Sequence, residues 1–185
     1  MKSWIKVKRN PVIIEPEEFK QIWDTRPTTK HTVCIFGKMH QVPRTQVLYG
    51  ENVKYSFSGN TLEGITPVPG YIQRCMKYVQ KKSPDFTWNG ALVNFYETGE
   101  NYIGKHSDDE TDLSPGSPIY SFSFGGVRTF RVRDKTTGKI ARDILTENNS
   151  CIVMGGDFQK QFTHEITKTK KHVGPRINVT IRSFK

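Results

Sequence analysis

The chain has 185 residues, 35% of them hydrophobic, and its 28 Lys and Arg against 18 Asp and Glu give a formal net charge of +10. That length can bury one core and no composition break marks a second, so one domain is expected, and a monomer. The positive balance favours a polyanion, nucleic acid or a membrane surface. The membrane reading weakens because no apolar run approaches the ~20 residues of a spanning helix and no basic-apolar-small leader opens the chain, so a soluble, intracellular protein is expected.

In chain order, "EPEEFKQIWD" places Pro16 and two acids ahead of Phe19, Ile22 and Trp23 at i, i+3 and i+4, which predicts a short helix. From Thr25 to Gly50 the chain has no acid but carries Arg26, Lys30, Lys38 and Arg44, and inside this segment "CIFGKMHQVPR" reads as a hairpin-like element. "VKYSFSG" then puts Tyr55 and Phe57 on one face of an extended run. Between Pro69 and Lys82, Ile72, Cys75, Met76 and Val79 recur at helical spacing, predicting a second amphipathic helix.

Beyond it the period changes to two, with strand-like runs at 91–97, 119–124, 128–133, 140–145, 150–155 and 176–184, and "DKTTGK" at 134–139 reads as a hairpin connection. Six strands behind two helices predict an α+β, mainly β fold, a sandwich or jelly roll. Cys34, Cys75 and Cys151 form an odd set with no CxxC pair, so buried reduced thiols are expected rather than a disulfide framework or a zinc site.

The chemistry concentrates in "GENYIGKHSDDETDLSPGSP", an acidic island in a basic chain. His106 and Asp108 are two apart, so in an extended segment both leave the same face and can grip one cation. A hydrogen-bonded surface pair would look the same. His164, just past the apolar run "SCIVMGGD", supplies a third ligand, and two histidines with one carboxylate match the facial triad of a non-haem Fe(II) oxygenase, although zinc could take the same ligands. In "RINVTIR", Arg176, Asn178, Thr180 and Arg182 alternate with Ile177, Val179 and Ile181. An exposed edge strand would read alike, but beside a facial triad a planar guanidinium fork is what a dicarboxylate co-substrate requires.

HxD, the later His and R-x-N-x-T-x-R, with "FGKMHQVPRTQVLYG", "YSFSG" and "PGSPIYSFSFG", together resemble the AlkB family of Fe(II)- and 2-oxoglutarate-dependent dioxygenases. The likeness runs over about residues 33 to 184 and is closest to the vertebrate branch that repairs alkylated duplex DNA. It departs at Met39, Ser107 and Thr169, where that branch has Trp, Arg and Arg. The resemblance implies a double-stranded β-helix (jelly-roll) core over about residues 91–185, with N-terminal helices and a nucleotide-recognition lid over about residues 1–90. It implies Fe(II) held by His106, Asp108 and His164, with 2-oxoglutarate and O2 as co-substrates. Arg176 would pair with the distal carboxylate of 2-oxoglutarate, in a pocket completed by Asn94, Tyr96, Asn178 and Arg182.

The activity so implied is hydroxylation of an N-methyl group on 1-methyladenine or 3-methylcytosine, coupled to oxidation of 2-oxoglutarate to succinate and CO2, with release of formaldehyde. Tyr55, Phe57, Asp109 and Glu110 would surround the extruded base, Phe57 stacking it opposite His106, because a base inside a duplex cannot reach a buried iron without flipping. Phe36, flanked by Ile35, Gly37 and Lys38, resembles an intercalating finger and Arg44 a residue that manages the vacated gap, while Lys170 and Lys171 align with a loop that grips the phosphate backbone. Only 35 residues precede Phe36, so no long N-terminal docking extension is expected. Alkylated DNA, duplex over single strand, is therefore the expected partner, and the nucleus the compartment in a eukaryote. The alternatives are an RNA demethylase of the same chemistry, a non-catalytic module that reads damaged nucleic acid, and a hydroxylase of protein or small molecules.

Overall fold

The structure, a computed structural model, describes residues 2–35, 37–57 and 59–185, without the side chains of Cys34 and Ile35. The chain opens with β1 (Trp4–Arg9), α1 (Pro16–Asp24) and the hairpin β2 (Thr32–Ile35) and β3 (Lys38–Gln41). β4 (Thr45–Tyr49), a second hairpin of β5 (Lys54–Phe57) and β6 (Asn60–Glu63), and α2 (Gly70–Lys82) follow. Next come β7 (Gly90–Tyr96), β8 (Ile103–His106), β9 (Ile119–Gly125), β10 (Thr129–Asp134), β11 (Ile140–Leu145) and β12 (Ser150–Gly155). The one-turn α3 (Phe158–Gln161), β13 (Phe162–Ile166) and β14 (Arg176–Arg182) complete it.

Two sheets form the core, a six-stranded one in the order β1-β12-β9-β14-β7-β4 and a four-stranded one in the order β11-β10-β13-β8. This is the jelly roll expected. Both edges of the larger sheet, β1 and β4, come from the first 90 residues.

Period-two alternation explains the layering. On β14, Ile177, Val179 and Ile181 join Ala91, Val93 and Phe95 of β7 and Phe122 and Phe124 of β9 in one apolar cluster with Ile22 of α1 and Ile72, Cys75 and Val79 of α2. The intervening residues Arg176, Asn178, Thr180 and Arg182 line a cavity between the sheets. Strand β14 is buried along its whole length, paired with β7 on one side and β9 on the other, so its polar face looks into the interior rather than into water.

Both predicted helices form, and so do all six predicted strands, within a residue or two of the expected ends. Residues 134–139 connect β10 to β11 as expected, Arg133 pairing with Ile140. Strands β8 and β13, the short ones of the minor sheet, carry no recognisable strand pattern. "IGKH" and "FTHEI" devote inward positions to histidines, which breaks the apolar alternation a strand is recognised by. Asp108 lies beyond the end of β8, not in an extended run with His106. The two N-terminal hairpins meet where Asn60 Nδ2 donates to the Thr32 carbonyl at 2.8 Å. Gly37 makes the turn of the first at φ +74°, a conformation glycine adopts without Cβ strain. Phe36, the expected finger, lies outside the described residues. Cys75 and Cys151 are buried free thiols.

Candidate active site

The two histidines meet because their strands pair. His164 in β13 is the cross-strand partner of His106 at the end of β8, and their ring centroids are 4.3 Å apart. Asp108 is brought in by the loop after β8, pinned just ahead of its Cα by two hydrogen bonds. Ser107 Oγ donates to the Phe162 carbonyl at 3.0 Å, and the Asp108 amide donates to Gln159 Oε1 at 3.1 Å. One Asp108 oxygen is then 3.8 Å from His106 Nε2 and the other 3.6 Å from His164 Nε2. A ligand atom from each of the three residues lies within 4.8 Å of the other two.

The donor chemistry suits a metal. His106 Nδ1 donates to the Gly104 carbonyl at 2.8 Å, which leaves the Nε2 lone pair facing the site. Burial pushes the His164 imidazole down to about 3, and burial also lowers His106, so both rings are the neutral species a cation needs. Burial would raise Asp108, but Arg182 and the two histidines outweigh it and hold the carboxyl below the usual range. Arg182 Nη2 donates to Asp108 Oδ1 at 2.5 Å, and its Nη1 is 3.7 Å from Glu110. Arg182 is thus the orienting partner of a ligand as well as part of the cavity wall.

Asn94, Tyr96, Asn178, Arg176 and Arg182 line the same narrow cavity as the triad, with Tyr55 at its mouth. Arg176 carries the strongest chemical statement there. It is 1% exposed, it gives Ser123 Oγ a bond of 2.9 Å, and its Nε and Nη1 have no partner. Burial pushes its guanidinium down to about 10, still a cation at neutral pH. A buried, half-satisfied cation costs several kcal/mol unless an anion joins it, and a carboxylate fits the open fork. Asn178 spends its amide on Ser121 Oγ and the Phe122 carbonyl, both at 2.8 Å, and so braces the wall.

The cavity opens into a cleft of about 550 Å³ lined by Tyr55, Phe57, Asp109, Glu110, Arg44 and His106. Phe57 stacks on Tyr55 at 5.5 Å and meets His31 edge-on. Asp109 is largely exposed, 3.5 Å from Lys135, whereas Glu110 is half-buried and raised by burial. Arg44 is buried, its Nε donating to Asn94 Oδ1 at 2.7 Å, so it reaches the cleft from the wall. Gly37 and Lys38 are exposed at the first hairpin's turn, and Lys170 and Lys171 are exposed in the loop before β14. The Ile35 side chain and Phe36 lie outside the described residues.

Sequence reading missed Arg128. Almost fully buried, it donates to the carbonyls of Thr98, Gly99, Asn101 and Thr167 at 2.7–3.1 Å, tying the segment before β8 to the one after β13. The Tyr96 ring centroid is 5.9 Å from its guanidinium and 4.9 Å from that of Arg176. The only trace in the sequence is a lone arginine in "GGVRTF" at the foot of an apolar strand.

A jelly roll with a His-Asp-His triad beside a carboxylate-ready arginine defines a class, and a family model agrees with it: that of the 2OG-Fe(II) oxygenase superfamily matches residues 14–182. The chain belongs to this superfamily, whose cofactor set is Fe(II) with 2-oxoglutarate and O2 as co-substrates. Within it the likeness is to AlkB-type members. The chain is 38% identical over 161 residues to the human DNA oxidative demethylase ALKBH2, a match covering 82% of this chain and 60% of that protein. It is 30% identical over 154 residues to the human alpha-ketoglutarate-dependent dioxygenase alkB homolog 3, covering 78% and 52%. The solved structure of OsALKBH1 shares the fold, with a TM-score of 0.62 at 18% identity over 97% of both chains. The chain thus spans about 60% of the length of the human ALKBH2 it matches.

Proposed function

We propose that this chain oxidatively demethylates 1-methyladenine and 3-methylcytosine in DNA, in duplexes in preference to single strands, acting as a monomer inside the cell and, in a eukaryote, in the nucleus. The observation that carries this reading is the juxtaposition of the triad with the half-satisfied guanidinium of Arg176 at the base of an acid-rimmed cleft, in a chain of charge +10. A positive shell suits a phosphate backbone, and carboxylates at the cleft suit the cationic ring of these lesions. The name of the human relative, a DNA oxidative demethylase, points the same way.

His106, Asp108 and His164 would hold Fe(II), and Arg176 would take the distal carboxylate of 2-oxoglutarate. When bound, the metal and its co-substrates supply an oxidant that adds one O2 oxygen to the N-methyl group, the other leaving in succinate as 2-oxoglutarate loses CO2. The hydroxymethyl product then separates into formaldehyde and the restored base. The protein's own work is positioning: Arg182 fixes Asp108, Arg176 orients the dicarboxylate, and Phe57, backed by the buried Tyr55 ring, offers a ring face to an extruded base. Glu110 accepts from its exocyclic amine, Asp109 lines the rim, and Lys38, Lys170 and Lys171 meet phosphates. Phe36, with Ile35 and Gly37 beside it, fills the vacated stack, and Arg44 borders it.

The test is formaldehyde release from methylated single-stranded DNA, duplex DNA and RNA at one salt concentration, for the natural chain and Phe36→Ala. The expected result is turnover on duplex that falls about 5- to 150-fold in Phe36→Ala, from ~1–3 kcal/mol of lost stacking, with little change on single strands. Release from RNA alone would make it an RNA demethylase, and no release from any substrate would overturn the proposal.

A further inference from the structure

A second cavity, of about 200 Å³, lies behind Arg44 between the end of α1, the segment that follows it and strands β4 and β7. Three cations converge on it, Arg26, Lys30 and Arg44, against one carboxylate, Glu97. Among the described residues none of the three forms an ion pair. We propose that this cavity is a phosphate site that takes one phosphodiester of the nucleic-acid strand whose base enters the neighbouring cleft. The inference rests on the nucleic-acid reading above and assigns the strand a path that reading leaves open.

The site is built before any ligand arrives. The Arg26 guanidinium lies over the Trp23 ring, 4.7 Å from its centroid, and donates to the Trp23 carbonyl at 3.1 Å. Trp23 is itself fixed, stacked on Phe19 at 6.2 Å and edge-on to Phe95 at 5.9 Å. Arg44 is held in the wall by its 2.7 Å bond to Asn94. Two guanidiniums locked in this way lose little rotamer freedom on binding: Arg26 still presents Nε and Nη2 as a fork for phosphate oxygens, and Arg44, whose Nη1 is 3.5 Å from the Tyr102 carbonyl, adds Nη2. Three positive groups in a concave wall of aromatic rings focus the field onto a single anion. A carboxylate ligand would meet the same charges, but the acid-free run from Thr25 to Gly50 that supplies all three cations also forms the hairpin beside the cleft, so a strand's phosphate is the anion the location delivers.

Arg44 sets where that phosphate lies, since the residue lines both this cavity and the cleft. A strand whose base sits between Phe57 and His106 therefore has a neighbouring phosphate within reach of the far side of Arg44. Lys30 needs no packing role to contribute, being partly exposed and without a hydrogen bond among the described residues.

The experiment measures the salt dependence of binding of the full chain to a duplex carrying one 1-methyladenine, comparing the natural protein with Lys30→Ala, Arg26→Ala and Arg26→Lys. Loss of one phosphate contact should reduce the log–log slope by about 0.9 on duplex and about 0.7 on a single strand. Lys30→Ala and Arg26→Ala should each weaken binding to all sequences alike, and Arg26→Lys should recover much of the slope, because it keeps the charge. Melting temperatures accompany each variant, and Lys30→Ala keeps the test decisive should Arg26→Ala loosen Trp23. An unchanged slope in Lys30→Ala and Arg26→Ala, at unchanged melting temperature, overturns the site. So does inorganic phosphate shifting Trp23 fluorescence at millimolar concentration while the duplex slope stays at the natural value, an outcome that assigns the cavity to the free ion. Formaldehyde release by the natural chain is scored separately, so failure of the demethylase reading and failure of this site leave different records.

Discussion

Arg182 and Asp108, 74 residues apart in sequence, form a buried pair at 2.5 Å, in which the last residue of β14 orients the carboxylate that the loop after β8 brings to the His-Asp-His cluster. Removing one partner of such a pair strands the other charge in a low-dielectric interior. Arg182→Ala should therefore destabilise the metal-free protein by about 3–5 kcal/mol in urea unfolding with chelator present, and weaken Fe(II) binding measured by titration. Metal affinity equal to that of the natural chain would show that Asp108 needs no such partner.

Stability of the metal-free protein should depend on pH through His164. Its folded imidazole is held at about 3 by burial, below the ordinary value near 6.5, so the unfolded chain binds the proton first. The contribution is fully present above about pH 6.5 and is lost as pH falls toward 3, by up to ~1.4 kcal/mol per pH unit. Asp108, also depressed, adds a loss with the same sign, confined to pH below the ordinary carboxylate range. Denaturant melts from pH 7.5 to 4.5 should show this slope, and His164→Phe should flatten it. A slope that persists unchanged in His164→Phe would assign it to other groups.

Arg176→Lys should raise the 2-oxoglutarate requirement about 10- to 150-fold. A single ammonium replaces a fork whose Nε and Nη1 are both unpaired, losing a charge-assisted bond of ~1.5–3 kcal/mol. The measurement is co-substrate binding by calorimetry. An unaltered affinity would move the carboxylate clamp elsewhere, with Arg182 next in line.

Arg128→Met should leave the carbonyls of Thr98, Gly99, Asn101 and Thr167 without their donor while keeping most of the side-chain volume. A loss above about 3 kcal/mol is expected, since each buried acceptor left unpaired costs ~1–3 kcal/mol. Hydrogen exchange should accelerate at amides 98–102 and 167–170 before the rest of the sheet. Uniform exchange across the molecule would show that Arg128 does not tie those two segments together.

The sequence by itself determined the elements whose pattern repeats: both helices, six of the strands from β7 to β14, and the alternation of β14 that puts Arg176, Asn178 and Arg182 on one face. It also marked His106, Asp108 and His164 as one constellation. Period and spacing are local properties, legible wherever apolar residues face a core. Tertiary structure alone decided what those faces meet. That β14 is a central, fully buried strand rather than a wet edge follows from its pairing with β7 and β9, which no window of the sequence contains. The strands β8 and β13 escaped notice because the site displaced the apolar residues that would have announced them. Arg128 was equally invisible, since a lone arginine is ordinarily a solvated surface charge. The acid-free run marked Arg26, Lys30 and Arg44 as a basic segment but could not show that they share one cavity. What distinguishes these cations is long-range geometry: carbonyls from two loops converging on one guanidinium, and cations up to 18 positions apart in sequence facing one cavity.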